Sequence, residues 1–129
     1  MKTILHEHNS IKIMEVLSDS VILNTPHEAV DLMMSFFPMG IRKMILHKEN
    51  INPDFFLLHS GLAGEILQKF VNYRVQLAIV GDFKNLTSNG LRTLILESNR
   101  GNQVFFLEDV EEAKKFLLAR PGRDSHQME

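Results

Sequence analysis

Two short, predominantly apolar runs, Met44-Ile45-Leu46 and Val75 to Val80, stand on either side of a stretch in which Leu62, Ile66, Leu67 and Phe70 recur at helical spacing. A short run that is apolar at nearly every position suits a strand buried on both faces, whereas a repeat every three to four residues marks one side of a helix. Strand, helix and strand in this order make a crossover unit, which lays the two strands parallel. The chain must therefore place helix on sheet, and neither an all-helical bundle nor an all-strand sandwich fits.

The remaining elements extend that alternation. Ile11, Ile13 and Val16, with Lys12 and Glu15 among them, read as an opening strand, and Val21-Ile22-Leu23, beyond a Ser18-Asp19-Ser20 turn, as its hairpin partner. Thr25-Pro26-His27-Glu28 combines an N-cap hydroxyl, a proline at the first helical position and a glutamate placed to complete a capping box. The helix it starts carries Ala29, Val30, Met33, Met34 and Phe37 as its apolar face, and Pro38 with Gly40 stops it. Met33 and Met34 are read as gap-filling core, since an adaptable methionine surface is the rarer use.

Leu91, Leu94, Ile95 and the stem of Arg92 mark a further helix that closes at Asn99-Arg100-Gly101, followed by a buried strand at Val104 to Leu107. Asp109-Val110-Glu111-Glu112 repeats the capping pattern ahead of a last helix with Ala113, Phe116 and Leu117 on its face. The expected architecture is α/β, a mixed central sheet of about five strands with four helices. One domain over residues 1–118 is expected, with a flexible polar tail at 119–129. Ligand or partner surfaces are expected at strand carboxyl ends, where helices begin.

The 129 residues suffice for one core and not two, and 44% hydrophobic with 23% charged residues is an ordinary globular composition. Fourteen basic against 16 acidic residues leave a formal charge of -2, which offers no field to attract nucleic acid or an anionic membrane. Cysteine is absent, removing disulfides, thiolate nucleophiles and thiolate metal sites at once. Met1 to Ser10 lacks the apolar core of a signal peptide and no run approaches the ~20 apolar residues of a membrane span, so a cytoplasmic protein is expected.

Chemistry concentrates in Leu57-Leu58-His59-Ser60-Gly61-Leu62-Ala63-Gly64-Glu65, which sets a serine, two glycines and a carboxylate around the start of a helix. Free backbone N–H groups and the positive dipole end receive anions there, and a phosphate on Ser60 would change which partner the surface prefers. The structural alternative is that Ser60 simply caps the helix while Gly61 and Gly64 let backbone pack closely. Phe55 and Phe56, just before this segment in Asn50-Ile51-Asn52-Pro53-Asp54-Phe55-Phe56, either plug the core or leave one ring exposed as a partner anchor. Gly81-Asp82 follows a buried strand and is a turn before it is a nucleotide site.

Histidines stand at 6, 8, 27, 47, 59 and 126. His6 and His8 share a face if the terminus is a strand, and His47, Glu49 and His59 could converge if the loop from Lys48 to Leu58 folds back, yet no metal-ligand spacing is present and no metal or cofactor is expected. An enzyme would have to assemble Ser60, His47, His59, Glu49 and Glu65, and neither Gly-x-Ser-x-Gly nor a phosphate-binding loop motif occurs. A non-enzymatic interaction module is therefore expected. The alternative is a small-molecule sensor or enzyme using the cleft around Ser60 and the strand carboxyl ends.

The order of elements, with His59-Ser60-Gly61-Leu62 opening the second helix, resembles the STAS domain of sulfate transporters and anti-sigma factor antagonists. That family has an Asp-Ser-Ser-Gly-Leu-like turn at this place, and His59 stands where an acidic residue is usual. The chain is more closely similar to the bacterial STAS-like family called domain of unknown function 4180. The similarity runs through Gly61-Leu62-Ala63-Gly64-Glu65-Ile66-Leu67-Gln68-Lys69-Phe70, Tyr73-Arg74-Val75, Ala78-Ile79-Val80-Gly81-Asp82-Phe83 and Glu97-Ser98-Asn99. In antagonists of the STAS type the serine matching Ser60 is phosphorylated by a partner kinase, so the resemblance implies a phosphoswitch at Ser60. A protein partner, or a second copy of the chain, is expected on the surface of Phe55, Phe56, His59, Ser60, Gly61, Gly64, Glu65 and Asp82.

Overall fold

The computed structural model describes residues 1–85 and 88–121. It opens with β1 (Lys2–His8) and β2 (Ile11–Leu17), an antiparallel hairpin joined by Asn9 and Ser10 at φ +50° and +71°. Positive φ at both turn residues gives the turn whose twist matches that of the strands it joins. There follow α1 (Pro26–Phe36), β3 (Lys43–His47), α2 (Leu62–Asn72), β4 (Gln76–Val80), α3 (Asn89–Arg100), β5 (Val104–Leu107) and α4 (Val110–Ala119). Among the described residues the class is thus α/β as expected, with five strands in one mixed sheet and four helices.

The strands lie in the order β1-β2-β3-β4-β5, and β2 through β5 are parallel. Because the order never reverses, successive crossovers of one hand deliver α1, α2 and α3 to the same face. Ala29, Met33 and Phe36 of α1 and Ala63, Ile66 and Phe70 of α2 pack there on Met14, Met44, Leu46, Leu77 and Ile79, with Leu94 and Ile95 of α3 alongside. The opposite face is covered by α4, whose Ala113 and Leu117 meet Ile13, Ile45, Ala78, Phe105 and Leu107.

The opening hairpin differs from the expected one. β2 pairs with the segment before it, not with Val21-Ile22-Leu23. With β1 on one side and β3 on the other, β2 has no edge left for a third strand. Residues 18–24 are instead laced to the loop after β3. The amides of Ile22 and Leu23 donate to the Asn50 carbonyl at 2.8 and 3.2 Å, the Asn52 amide donates to the Leu23 carbonyl at 2.9 Å, and the buried Asn50 side chain donates to the carbonyls of Ser18 and Ser20.

α1 begins as expected, with Thr25 Oγ1 accepting from the Glu28 amide and Glu28 Oε1 accepting from the Asn24 amide at 2.7 Å. Its apolar face is shifted: Phe36 is buried, Met34 is 44% exposed, and Phe37 begins a 3-10 turn in which its ring carries the Arg42 guanidinium at 3.9 Å. Gly40, at φ +74°, closes that turn.

Ala119 closes α4, and the Arg120 guanidinium lies over the rings of Phe116 and Phe105 at 4.2 and 5.1 Å. From residue 122 onward the expected tail lies outside the described residues. Among those described, no helix is long and apolar enough to cross a membrane.

Candidate functional site

Between β3 and α2 the chain turns through three short 3-10 segments, Lys48–Asn50, Pro53–Phe56 and Leu58–Ser60. Asn52 starts the middle one by accepting from the Asp54 amide at 2.9 Å, with proline next in sequence. Phe55 then drops into the core and is fully buried. It plugs the molecule and offers no surface, so it leaves the expected partner surface. Phe56 stacks edge-on against it at 4.9 Å and stays half-buried.

Ser60 is exposed. Its hydroxyl donates to the Asp54 carbonyl at 2.6 Å and accepts from the Leu62 amide at 3.2 Å, closing the loop onto the first turn of α2. Gly61 is the N-cap of α2 at φ +79°, a conformation that costs a side-chain-bearing residue free energy. A Cβ at Gly61 or at Gly64 would meet nothing within 4 Å, so close packing is not why either is glycine. Glu65 lies exposed in the first helical turn. Leu57 and Leu58, 49% and 36% exposed, flank the serine. With Phe56, His59, Ser88 and Leu91 they line a hollow of about 410 Å³.

Phe56 also borders a larger cavity of about 630 Å³ at the carboxyl ends of β3 and β4, whose walls include His47, Lys48, Ile51, Val80 and Asp82. The structure therefore divides the expected surface. His59, Ser60, Gly61, Gly64 and Glu65 gather at the start of α2, while Asp82 faces the other cavity. Lys48 bridges that cavity's rim, donating to the Asp82 carbonyl at 2.7 Å with its ammonium 5.3 Å from the centre of the Phe83 ring. Gly81 is needed beneath it, because a Cβ there would approach Lys48 Cβ to 2.5 Å.

One constellation has no counterpart among the expected sites. Glu15, 5% exposed, accepts from His6 Nε2 at 2.9 Å on one carboxylate oxygen and from His47 Nε2 at 2.7 Å on the other. Burial by itself pushes the Glu15 carboxyl up, but the two imidazole hydrogen bonds and the imidazole charges outweigh it and hold the group below its ordinary value. His47 is thereby fixed against the cavity wall, and His59 stands apart from it, so the convergence of His47, Glu49 and His59 does not form. Among the described residues, no group of three or more His, Asp or Glu side chains is placed to hold a metal ion.

A signal for this network lay in β2. Ile11, Ile13 and Glu15 share one face, so the carboxylate had to be buried with donors. What the sequence lacked was any sign of which histidines would supply them, since His6 and His47 arrive from two other strands.

Residues 8–117 match the family model described as Domain of unknown function (DUF4180). No curated protein and no solved structure matches the chain. The match runs from the last residue of β1 to Leu117 of α4 and takes in the loop, both cavities and the start of α2, and on that extent the chain belongs to the DUF4180 family.

Proposed function

We propose that this protein is a non-enzymatic, STAS-like regulatory module that binds a protein partner through the surface at the start of α2 and is switched by phosphorylation of Ser60. The observation that carries the reading is the placement of the Ser60 hydroxyl, exposed and yet the sole side-chain tie between the Asp54 carbonyl and the Leu62 amide among the described contacts. A phosphate there removes the O–H that Asp54 accepts and adds close to two negative charges beside the first amides of α2. The loop bearing Leu57 and Leu58 then loses its clasp, and the apolar patch a partner would cover is rebuilt. The order of elements, a hairpin followed by three crossovers and a terminal helix, supports the STAS likeness.

A second reading is favoured by the 630 Å³ cavity, in which the oriented His47 faces apolar walls of Ile51, Phe56 and Val80. It makes the module a sensor of a small ligand. Native mass spectrometry of protein taken from its own cells separates the two. Covalent phosphate on Ser60, together with at least tenfold weaker partner binding by Ser60→Asp and a smaller loss by Ser60→Ala, which opens the clasp without adding charge, supports the switch. Unmodified Ser60 under every growth condition, with Ser60→Asp binding as wild type does, rejects it, and a retained small molecule supports the sensor.

A further inference from the structure

The two edges of the sheet are treated differently. β5 is four residues long, buried throughout and packed between α3 and α4. Brevity and cover are the usual protections of an edge strand. β1, at the other edge, has seven residues, of which all but His6 are exposed, with no proline or bulge and its lysine at the extreme end. Ile4 and Leu5 are 37% and 48% exposed.

The hairpin fixes which backbone groups that edge presents. His8 and Ile11 flank a two-residue turn and so form a hydrogen-bonded pair, and pairs alternate from there. Lys2, Ile4, His6 and His8 therefore spend their N–H and C=O groups on β2, whereas Thr3, Leu5 and Glu7 point theirs outward. An antiparallel two-fold pairing must centre on a residue that faces itself. Centring on Leu5 gives full overlap of the strand and makes Leu5 opposite Leu5 and Thr3 opposite Glu7 the hydrogen-bonded pairs. Ile4 then stands opposite His6 and Lys2 opposite His8. No carboxylate faces a carboxylate and no lysine a lysine, and the exposed leucines cover each other.

We propose that β1 is the interface through which two copies of this chain pair antiparallel about Leu5, joining their sheets into one. The surface is separate from the start of α2 and independent of the function proposed above. One strand edge buries less than the roughly 1,200 Å² of a stable complex, so the dimer dissociates on dilution.

Sedimentation of the full chain tests this, with the mass expected to rise from one chain to two as concentration increases toward the order of 1 mM. Amide exchange under the same conditions should show Thr3, Leu5 and Glu7 gaining protection with concentration while Ile4 and His6 are protected throughout. Leu5→Lys sets two ammonium groups face to face, and Leu5→Pro removes an outward N–H, a position where edge strands accept proline. Each should weaken the dimer at least tenfold with an unchanged circular dichroism spectrum. A chain monomeric at every concentration overturns the proposal, as does a dimer whose Thr3, Leu5 and Glu7 amides stay unprotected or whose constant neither variant changes.

Discussion

A carboxylate on the apolar face of a strand has to find donors before the strand can be buried. Glu15 finds two, and both oxygens are satisfied by imidazoles from the neighbouring strands β1 and β3. Its folded-state affinity for a proton is lower than in the unfolded chain, so as pH falls the unfolded chain takes up the proton first. The stabilisation is therefore complete above the ordinary carboxylate range, near pH 4, and is lost on acidification below it. Glu15→Gln keeps the shape and removes the charge, and at neutral pH it should cost about 1–3 kcal/mol, because one imidazole donor faces an amide that cannot accept from both. Urea unfolding from pH 7 to pH 3 should show the gap between wild type and Glu15→Gln closing at the acid end, and a gap independent of pH would contradict the account.

α2 starts on two glycines that do opposite things. Gly61 holds φ +79° with open space around it, so Gly61→Ala pays only for its backbone conformation, about 1 kcal/mol. Gly64 is an exposed residue in the first turn of the same helix, and Gly64→Ala should stabilise by about 0.5–1 kcal/mol. Urea midpoints of the two variants should move in opposite directions, and a shift of the same sign in both would refute the assignment. The elements that were legible beforehand are those whose side chains carry their periodicity: β3, β4 and β5 as apolar runs, and α2, α3 and α4 as stripes between caps. β1 was not legible because its order comes from backbone pairing. Apart from His6 its side chains are exposed, so no buried apolar face marks it as a strand. Val21-Ile22-Leu23 misled for the converse reason, being apolar enough for a strand but held by the Asn50 and Asn52 backbone and side chains instead.

A sheet whose strand order never reverses has no crevice at a topological switch point, which is where open α/β sheets usually bind ligands. The cavity at the ends of β3 and β4 is built instead by the long loop from Lys48 to Ser60, whose conformation depends on turns and caps that a periodicity argument does not reach. The same topology leaves one whole face to α4, and Lys43 adds a polar tie to the apolar packing that holds that helix. Its ammonium, on the first residue of β3, donates to Gln76 Oε1 and to the carbonyls of Leu117 and Arg120 at 2.7 and 2.8 Å, so it caps the end of α4 from beneath. Burial pushes this lysine down to about 8. An unfolded lysine titrates near 10.4, so between these values the unfolded chain keeps a proton that the folded protein has released, and stability rises with pH. Lys43→Met abolishes that rise and leaves the three acceptors without their donor, costing about 1–3 kcal/mol at pH 7. Wild type should therefore gain on Lys43→Met between about pH 8 and pH 10.5, by on the order of 1–3 kcal/mol, and lose the gain on return to pH 8. If urea unfolding shows the two proteins running parallel across that window, the lysine is charged in both states and its burial does not set the strength with which α4 is held.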